Sequence, residues 1–300
     1  MSKIKYTVSR LLALGGLTAA SGSTYAFYRY SLLGETPTAD CRAGLKYGVK
    51  ENDSFFGKLT DWDDNWDARK NYYKKNKDAE PQIPVLDNNT DKAVPTPVTP
   101  AVKGPTATRH VILIRHGQYN QNSSNDAERT LTALGRQQAL ATGERLKALN
   151  IKFDKLTMST MTRAQETADI ISKSFPNIPQ SECSMLREGA PYPCEPAPSK
   201  WRPENHKFFQ DNARIEGAFR KYIHRADPSQ TEDSHELIVC HANVIRYFVC
   251  RALQFPPEGW LRMSIGNCGV TWLTIRPSGN VSLRGLGDTG HLPPDHVTFK

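Results

Sequence analysis

Two short apolar runs in this chain end in histidine. Residues 111–115 lead into His116-Gly117, and residues 236–240 lead into His241. A histidine after one apolar strand is ordinarily just the polar residue that leaves the core. Two of them, at the same end of parallel strands, converge on one cleft. Arg115 adjoins His116, and Arg163 follows a third short strand ending near Thr160, so two guanidiniums reach the same edge. Such a cluster suits a phosphoryl group, whose equatorial oxygens need several donors, and arginine supplies them in a rigid fork. Neutral imidazole is a competent nucleophile toward phosphorus. Flanking arginines disfavour a further positive charge, so they lower the histidine pKa and keep the ring neutral. In-line attack then gives a phosphohistidine that water hydrolyses. Positioning and charge neutralisation supply most of the rate.

The elements that must hold these groups alternate along the chain. Residues 109–115 read as a buried strand. Leu131, Gly135, Ala139, Gly143, Leu146 and Leu149 fall on one face of a helix that Thr132 caps. A short strand at 156–160 and a helix at 162–174 follow. Then come a buried strand at 236–241, a helix at 243–253, and strands at 270–275 and 281–286 around a Pro-Ser-Gly turn. This order predicts an α/β fold with a mainly parallel central sheet and helices on both faces. Ligands of such sheets bind beyond the carboxyl ends of the strands.

Several motifs resemble those of the histidine phosphatase superfamily in its phosphoglycerate mutase branch. They are Arg115-His116-Gly117, STMTRAQETA, VCHANVIR, LREGAP and LGDTG. Within that branch the chain is similar to a mitochondrial serine/threonine protein phosphatase type, from Arg109 to the C-terminus. The resemblance implies that His116 accepts the phosphoryl group. Arg115, Arg163 and His241 grip its oxygens, with Asn122 as a further phosphate ligand. Glu188 is implied as the general acid that protonates the leaving hydroxyl, which requires its pKa to be raised. The plainer alternative for Glu188 is an ion pair with Arg187. Tyr119 stands where many mutases carry serine or threonine, and residues 118–129 lack the mutase's second substrate-gripping set, so hydrolysis is expected. The alternatives are a phosphatase or mutase of small phosphorylated metabolites, and a non-catalytic mitochondrial scaffold.

Upstream, residues 1–34 carry Lys3, Lys5, Arg10 and Arg29, no acid, and a mostly apolar run closed by tyrosines. They read as a mitochondrial targeting segment and single-span membrane anchor, with a cleaved secretory signal and a secretory-route anchor as competitors. Residues 35–80 form a polar arm and residues 81–108 a proline-rich linker. The catalytic domain is expected over 109–300. The arm contains WDDNWD at 62–67. If it is helical, Trp62 and Trp66 share a face and make an exposed docking element. By resemblance, Trp62, Asp63, Asn65, Trp66 and Asp67 dock onto neighbouring catalytic domains. There they would build a higher oligomer on catalytic-domain dimers and raise activity.

Composition bounds the rest. The 300 residues have a net charge of +8, a pI of about 9.1 and a mean hydropathy of −0.57, unlike a chain built mainly of membrane helices. The basic excess suits anionic partners such as phosphorylated proteins. No aromatic-basic platform points to nucleic acid. Six cysteines without a C-x-x-C pair fit a reducing compartment, and Cys240 and Cys250 read as core residues. No residues stand at metal spacing, and no cofactor is expected. His110, His206, His224, His235, His291 and His296 read as surface or capping residues.

Overall fold

A computed structural model describes residues 62–69, 104–198, 201 and 203–299, all within the unit Asp61–Lys300. The expected anchor at 1–34, most of the arm and most of the linker lie outside the described residues. Among the described residues no helix is long and apolar enough to cross a membrane.

The strands are β1 (Arg109–Arg115), β2 (Lys155–Ser159), β3 (Gln180–Cys183), β4 (Ser234–Cys240), β5 (Val270–Ile275) and β6 (Val281–Asp288). The helices are α1 (Ala133–Ala148), α2 (Thr162–Ser172), α3 (Asn205–Tyr222) and α4 (Ala242–Ala252). The sheet order is β3-β2-β4-β1-β5-β6. The first four strands in this order run parallel, β5 runs antiparallel to β1, and β6 antiparallel to β5. Both faces are covered, which is why β1 and β4 read as continuous apolar runs. Ile112, Ile114, Leu237 and Val239 pack with Leu146, Ala164, Ala168 and Ile171 of α1 and α2. Val111, Leu113, Ile238 and Cys240 pack with Ile215, Phe219, Val244 and Phe248 of α3 and α4. Each large side chain so buried contributes about 1.5–3 kcal/mol.

Local chemistry sets the boundaries. Thr132 caps α1, its Oγ1 accepting from Gly135 N at 3.0 Å. The cap positions of α2 and α4, Met161 and His241, make no side-chain cap bond. Leu131 lies before α1 rather than on its face, bridging to Tyr119.

Two elements go beyond the sequence reading. β3 is an edge strand with three exposed residues out of four, so it lacks an apolar alternation. α3 buries Ile215, Ala218, Phe219 and Tyr222, a helical spacing present in the sequence but not assigned to an element there.

The helical expectation for WDDNWD is corrected. The segment is a turn, with Ala68 at φ 57°. Trp62 is 37% exposed, whereas Trp66 is 6% exposed. Trp66 Nε1 donates to Gly279 O at 2.8 Å, and its ring centroid lies 6.1 Å from that of Phe219 on α3. Arg220 Nη1 donates to Trp66 O at 2.6 Å. Asp67 is buried against Arg225, accepting from its Nε at 2.9 Å and its backbone N at 3.0 Å. Asp63 exchanges two hydrogen bonds with the Gln254 side chain. The motif therefore packs its second half into the core and leaves Trp62 at the surface.

Candidate active site

β1 and β4 are adjacent and parallel, and their register pairs Arg115 with Cys240. The next residue on each strand is therefore a histidine at the same edge. His116 is pinned through its main chain: its N–H donates to Cys240 O at 3.0 Å, and its O accepts from Asn267 Nδ2 at 3.1 Å. The loop that follows passes against the first turn of α1, where a Cβ on Gly135 would sit 1.9 Å from Gln118 O. Only glycine fits that approach.

The ring contacts of His116 define its tautomer. Nδ1 is 2.8 Å from Gly117 O, a group that can only accept, so Nδ1 carries the proton. Nε2 keeps its lone pair and accepts from Arg163 Nε at 3.2 Å. Burial, then Arg163 and Arg115, holds the His116 pKa well below the usual imidazole value. His241 lies alongside, with ring centroids 5.1 Å apart. Its Nε2 is 2.8 Å from Ser159 Oγ at the end of β2, and its buried Nδ1 has no partner. Burial, then His116 and the arginines Arg163, Arg115 and Arg187, likewise drives its pKa well down.

The guanidiniums are anchored, and those of Arg115 and Arg129 each keep an unmatched buried Nε. Arg115 Nη1 donates to Ile265 O at 2.7 Å and Phe299 O at 3.1 Å, while its buried Nε has no partner. Arg163 Nη1 is 3.4 Å from Asp126 Oδ1, and its guanidinium stacks 4.6 Å from the Tyr119 ring centre. Arg129 donates to Tyr119 Oη at 3.3 Å, and its buried Nε is also unmatched. Unmatched buried donors are costly in a native structure. Clustered around one imidazole, they form a cradle suited to an anion.

Glu188 faces the same cleft, of about 500 Å³, which Arg129, Arg163 and Asn243 also line. Burial raises its pKa, with a smaller opposing pull from Arg163 and Arg115. It does not pair with Arg187, which turns to Thr160 Oγ1 at 3.3 Å and Asp126 at 4.0 Å. α3 holds the Glu188 loop. Arg214 donates to the carbonyls of Met185 (2.9 Å), Arg187 (2.5 Å) and Glu188 (3.2 Å), and Asp211 accepts from Ala190 N at 2.9 Å. Asn243 Nδ2 donates to Gly189 O at 2.9 Å.

The structure thus gathers His116, His241, Arg115, Arg163 and Glu188 at one sheet edge. It does not bring in Asn122, which is exposed and makes no hydrogen bond to the cluster. Trp66 and Asp67 lie against α3 and the β5–β6 turn, and Asp63 against Gln254. Sequence reasoning missed Ser159, Asp126, Arg129, Asn243 and the Asp211–Arg214 clamp. The position of Ser159 at a third strand end, and the i,i+3 spacing of the clamp on α3, were the available signals. The surface assignment of the other histidines also needs correction at three positions. His110 and His235 stack at 4.4 Å across β1 and β4. His224 is half-buried, and burial and Arg109 push its pKa down to about 4. Among the described residues no group of three or more His, Cys, Asp or Glu could hold a metal ion.

A neutral buried imidazole among open guanidiniums, at the carboxyl edge of such a sheet, defines a class. Residues 111–288 match the histidine phosphatase superfamily (branch 1), and the chain belongs to it. Within the superfamily it is similar over most of its length to proteins named as mitochondrial serine/threonine phosphatases. It is 52% identical over 244 residues to the rat protein named serine/threonine-protein phosphatase PGAM5, mitochondrial, covering 79% of this chain and 80% of that one. The human protein of the same name is 51% identical, with the same coverage. The Drosophila willistoni protein is 50% identical over 241 residues, 79% of this chain and 80% of its own. A solved phosphoglycerate mutase from Plasmodium falciparum is 39% identical, covering 63% of this chain and 96% of that one with a TM-score of 0.45.

Proposed function

We propose that this chain is a mitochondrial serine/threonine protein phosphatase that works through a phosphohistidine on His116. The Nε2 lone pair attacks phosphorus and the ester P–O bond breaks. Glu188 gives its proton to the departing serine or threonine oxygen. Water then attacks phosphorus, Glu188 takes back a proton, and the N–P electrons return to Nε2 as inorganic phosphate leaves. Arg115, Arg163 and His241 hold the phosphoryl oxygens through both steps. Asn122 is left outside this set.

The observation that carries the reading is the tautomer of His116: a buried Nε2 lone pair among donors that lack partners. Incubation with a phosphopeptide, acid-free quenching and mass spectrometry with EDTA present test it. Phosphate on His116 is the expected result, and a labelled site elsewhere would defeat it. Faster turnover of phosphoglycerates than of phosphopeptides would favour a small-metabolite enzyme instead.

The reading extends to the whole chain. Residues 1–34 anchor it to a mitochondrial membrane by a single span, the arm and linker at 35–108 give reach, and residues 109–300 catalyse. The WDDNWD turn, through its exposed Trp62, builds an oligomer from catalytic-domain dimers. The names of the relatives support the mitochondrial location. The apolar, acid-free start supports the anchor. Removing residues 1–80 should lower both assembly size and rate in sedimentation and turnover assays.

A further inference from the structure

Beside the catalytic cleft lies a smaller cavity of about 260 Å³. Trp201, Trp260, Leu261 and Asn243 form its walls, and Trp201 and Asn243 also wall the catalytic cleft. Three of the four walls are therefore apolar, whereas the cleft presents arginines and a carboxyl group. Trp260 is fully buried, its Nε1 donating to Tyr192 O at 2.8 Å. Trp201 meets it edge-on at 5.8 Å and Phe208 at 6.1 Å, yet remains 39% exposed. None of the three apolar walls has a part in the chemistry at His116. An indole face left open to water beside a cleft gains when another apolar group covers it.

We propose that this cavity is a subsite for an apolar side chain flanking the phosphorylated serine or threonine of a polypeptide substrate. The proposal rests on the protein-phosphatase reading above and adds a sequence preference to it. A phosphoserine seated over His116 carries its neighbours along the cleft wall in steps of about 3.3 Å. A nearby residue is then delivered to the shared walls at Trp201 and Asn243. The volume admits one leucine or phenylalanine side chain. A small phosphorylated metabolite has no such neighbour to place there.

The test is a set of phosphopeptides in a glycine-serine background, with leucine moved one position at a time around the phosphoserine. At one position leucine should raise kcat/KM by about tenfold or more, the effect of burying one such side chain. Leu261→Trp, which fills the cavity, should abolish that preference while hydrolysing p-nitrophenyl phosphate at the wild-type rate, which also reports correct folding. Trp201→Ala gives a second reading, as a reduced ratio between leucine and glycine peptides. Peptide turnover indifferent to neighbours, or a preference that survives Leu261→Trp, overturns the subsite alone. Absence of peptide turnover beside good p-nitrophenyl phosphate hydrolysis overturns the subsite together with the protein-phosphatase reading.

Discussion

Arg109 and Arg115 stand at opposite ends of β1, and both are buried. Arg109 is saturated: its Nε and Nη2 bind Glu236 at 2.7–3.0 Å, and its Nη1 donates to His224 O at 2.7 Å. Arg115 is unfinished, with a buried Nε facing no partner. The same side chain on the same strand thus serves two ends differently. At the amino edge Arg109 and Glu236 satisfy one another and hold the sheet. At the carboxyl edge Arg115 leaves a donor open for a ligand. Burial alone does not separate the two arginines of β1; the unmatched Nε of Arg115 does.

The largest effect that would break this contrast is at His116. His116→Ala should cut phosphopeptide turnover by about 10⁴-fold or more, because the nucleophile is gone, with little change in thermal midpoint. Phosphate release and a thermal melt on the same sample check both halves. Next, Arg115→Gln should lower kcat/KM by about 10²–10³-fold and leave stability near wild type. Arg109→Ala should do the reverse, costing about 3–5 kcal/mol by stranding Glu236, toward the lower end because Lys155 stays 3.1 Å away. Urea unfolding and kinetics on the pair would collapse the distinction if both variants lost the same property.

A smaller effect tests the α3 clamp. A Cβ at Gly189 would lie 2.4 Å from Asp211 Cγ and 2.6 Å from Arg214 Nη2. Gly189→Ala should shift the Glu188 loop and lower kcat by about tenfold. Its KM for p-nitrophenyl phosphate should barely move.

The smallest effects are in pH. Unfolded histidines bind protons near pH 6.5 while buried His116 and His241 do not, so stability should fall as pH drops below about 6.5. Burial disfavours the Glu236 carboxylate, but Arg109 and Lys155 outweigh it and hold its pKa down. Its contribution is present above about pH 4.3 and lost as pH falls through the folded value. His116→Ala should shrink the upper step, and Arg109→Ala should shrink the lower one, leaving the part that Lys155 supplies. Glu188 works in the opposite direction: its raised pKa places the alkaline limb of kcat above the ordinary carboxylate range. Arg115→Gln removes a cation that pulls this pKa down, so the limb should move to higher pH.

The sequence exposed what periodicity and strand ends encode. His116, His241 and Arg115 were legible because β1 and β4 are unbroken apolar runs, and Arg163 because it opens a helix after a short strand. Glu188 was reachable only through resemblance, since an irregular loop carries no period. What holds that loop, Asp211 and Arg214, sits on a helix whose buried face was overlooked. The burial of Trp66 was hidden because its partners, Phe219, Gly279 and Arg220, lie over 150 residues away. Asn122 followed a motif spacing that the fold does not carry to the cluster.

α4, unlike α1, begins without a side-chain cap, whereas the first N–H of α2 donates to Asp126 Oδ2 at 3.2 Å. The start of α4 thus leaves the partial positive charge of a helix end at the edge where the histidines stand. That fixed field acts on any tetrahedral oxyanion, whether or not it is esterified. The released product is therefore also a ligand, and inorganic phosphate or vanadate should compete with substrate. Local phosphate concentration then sets how much of the enzyme is free to turn over.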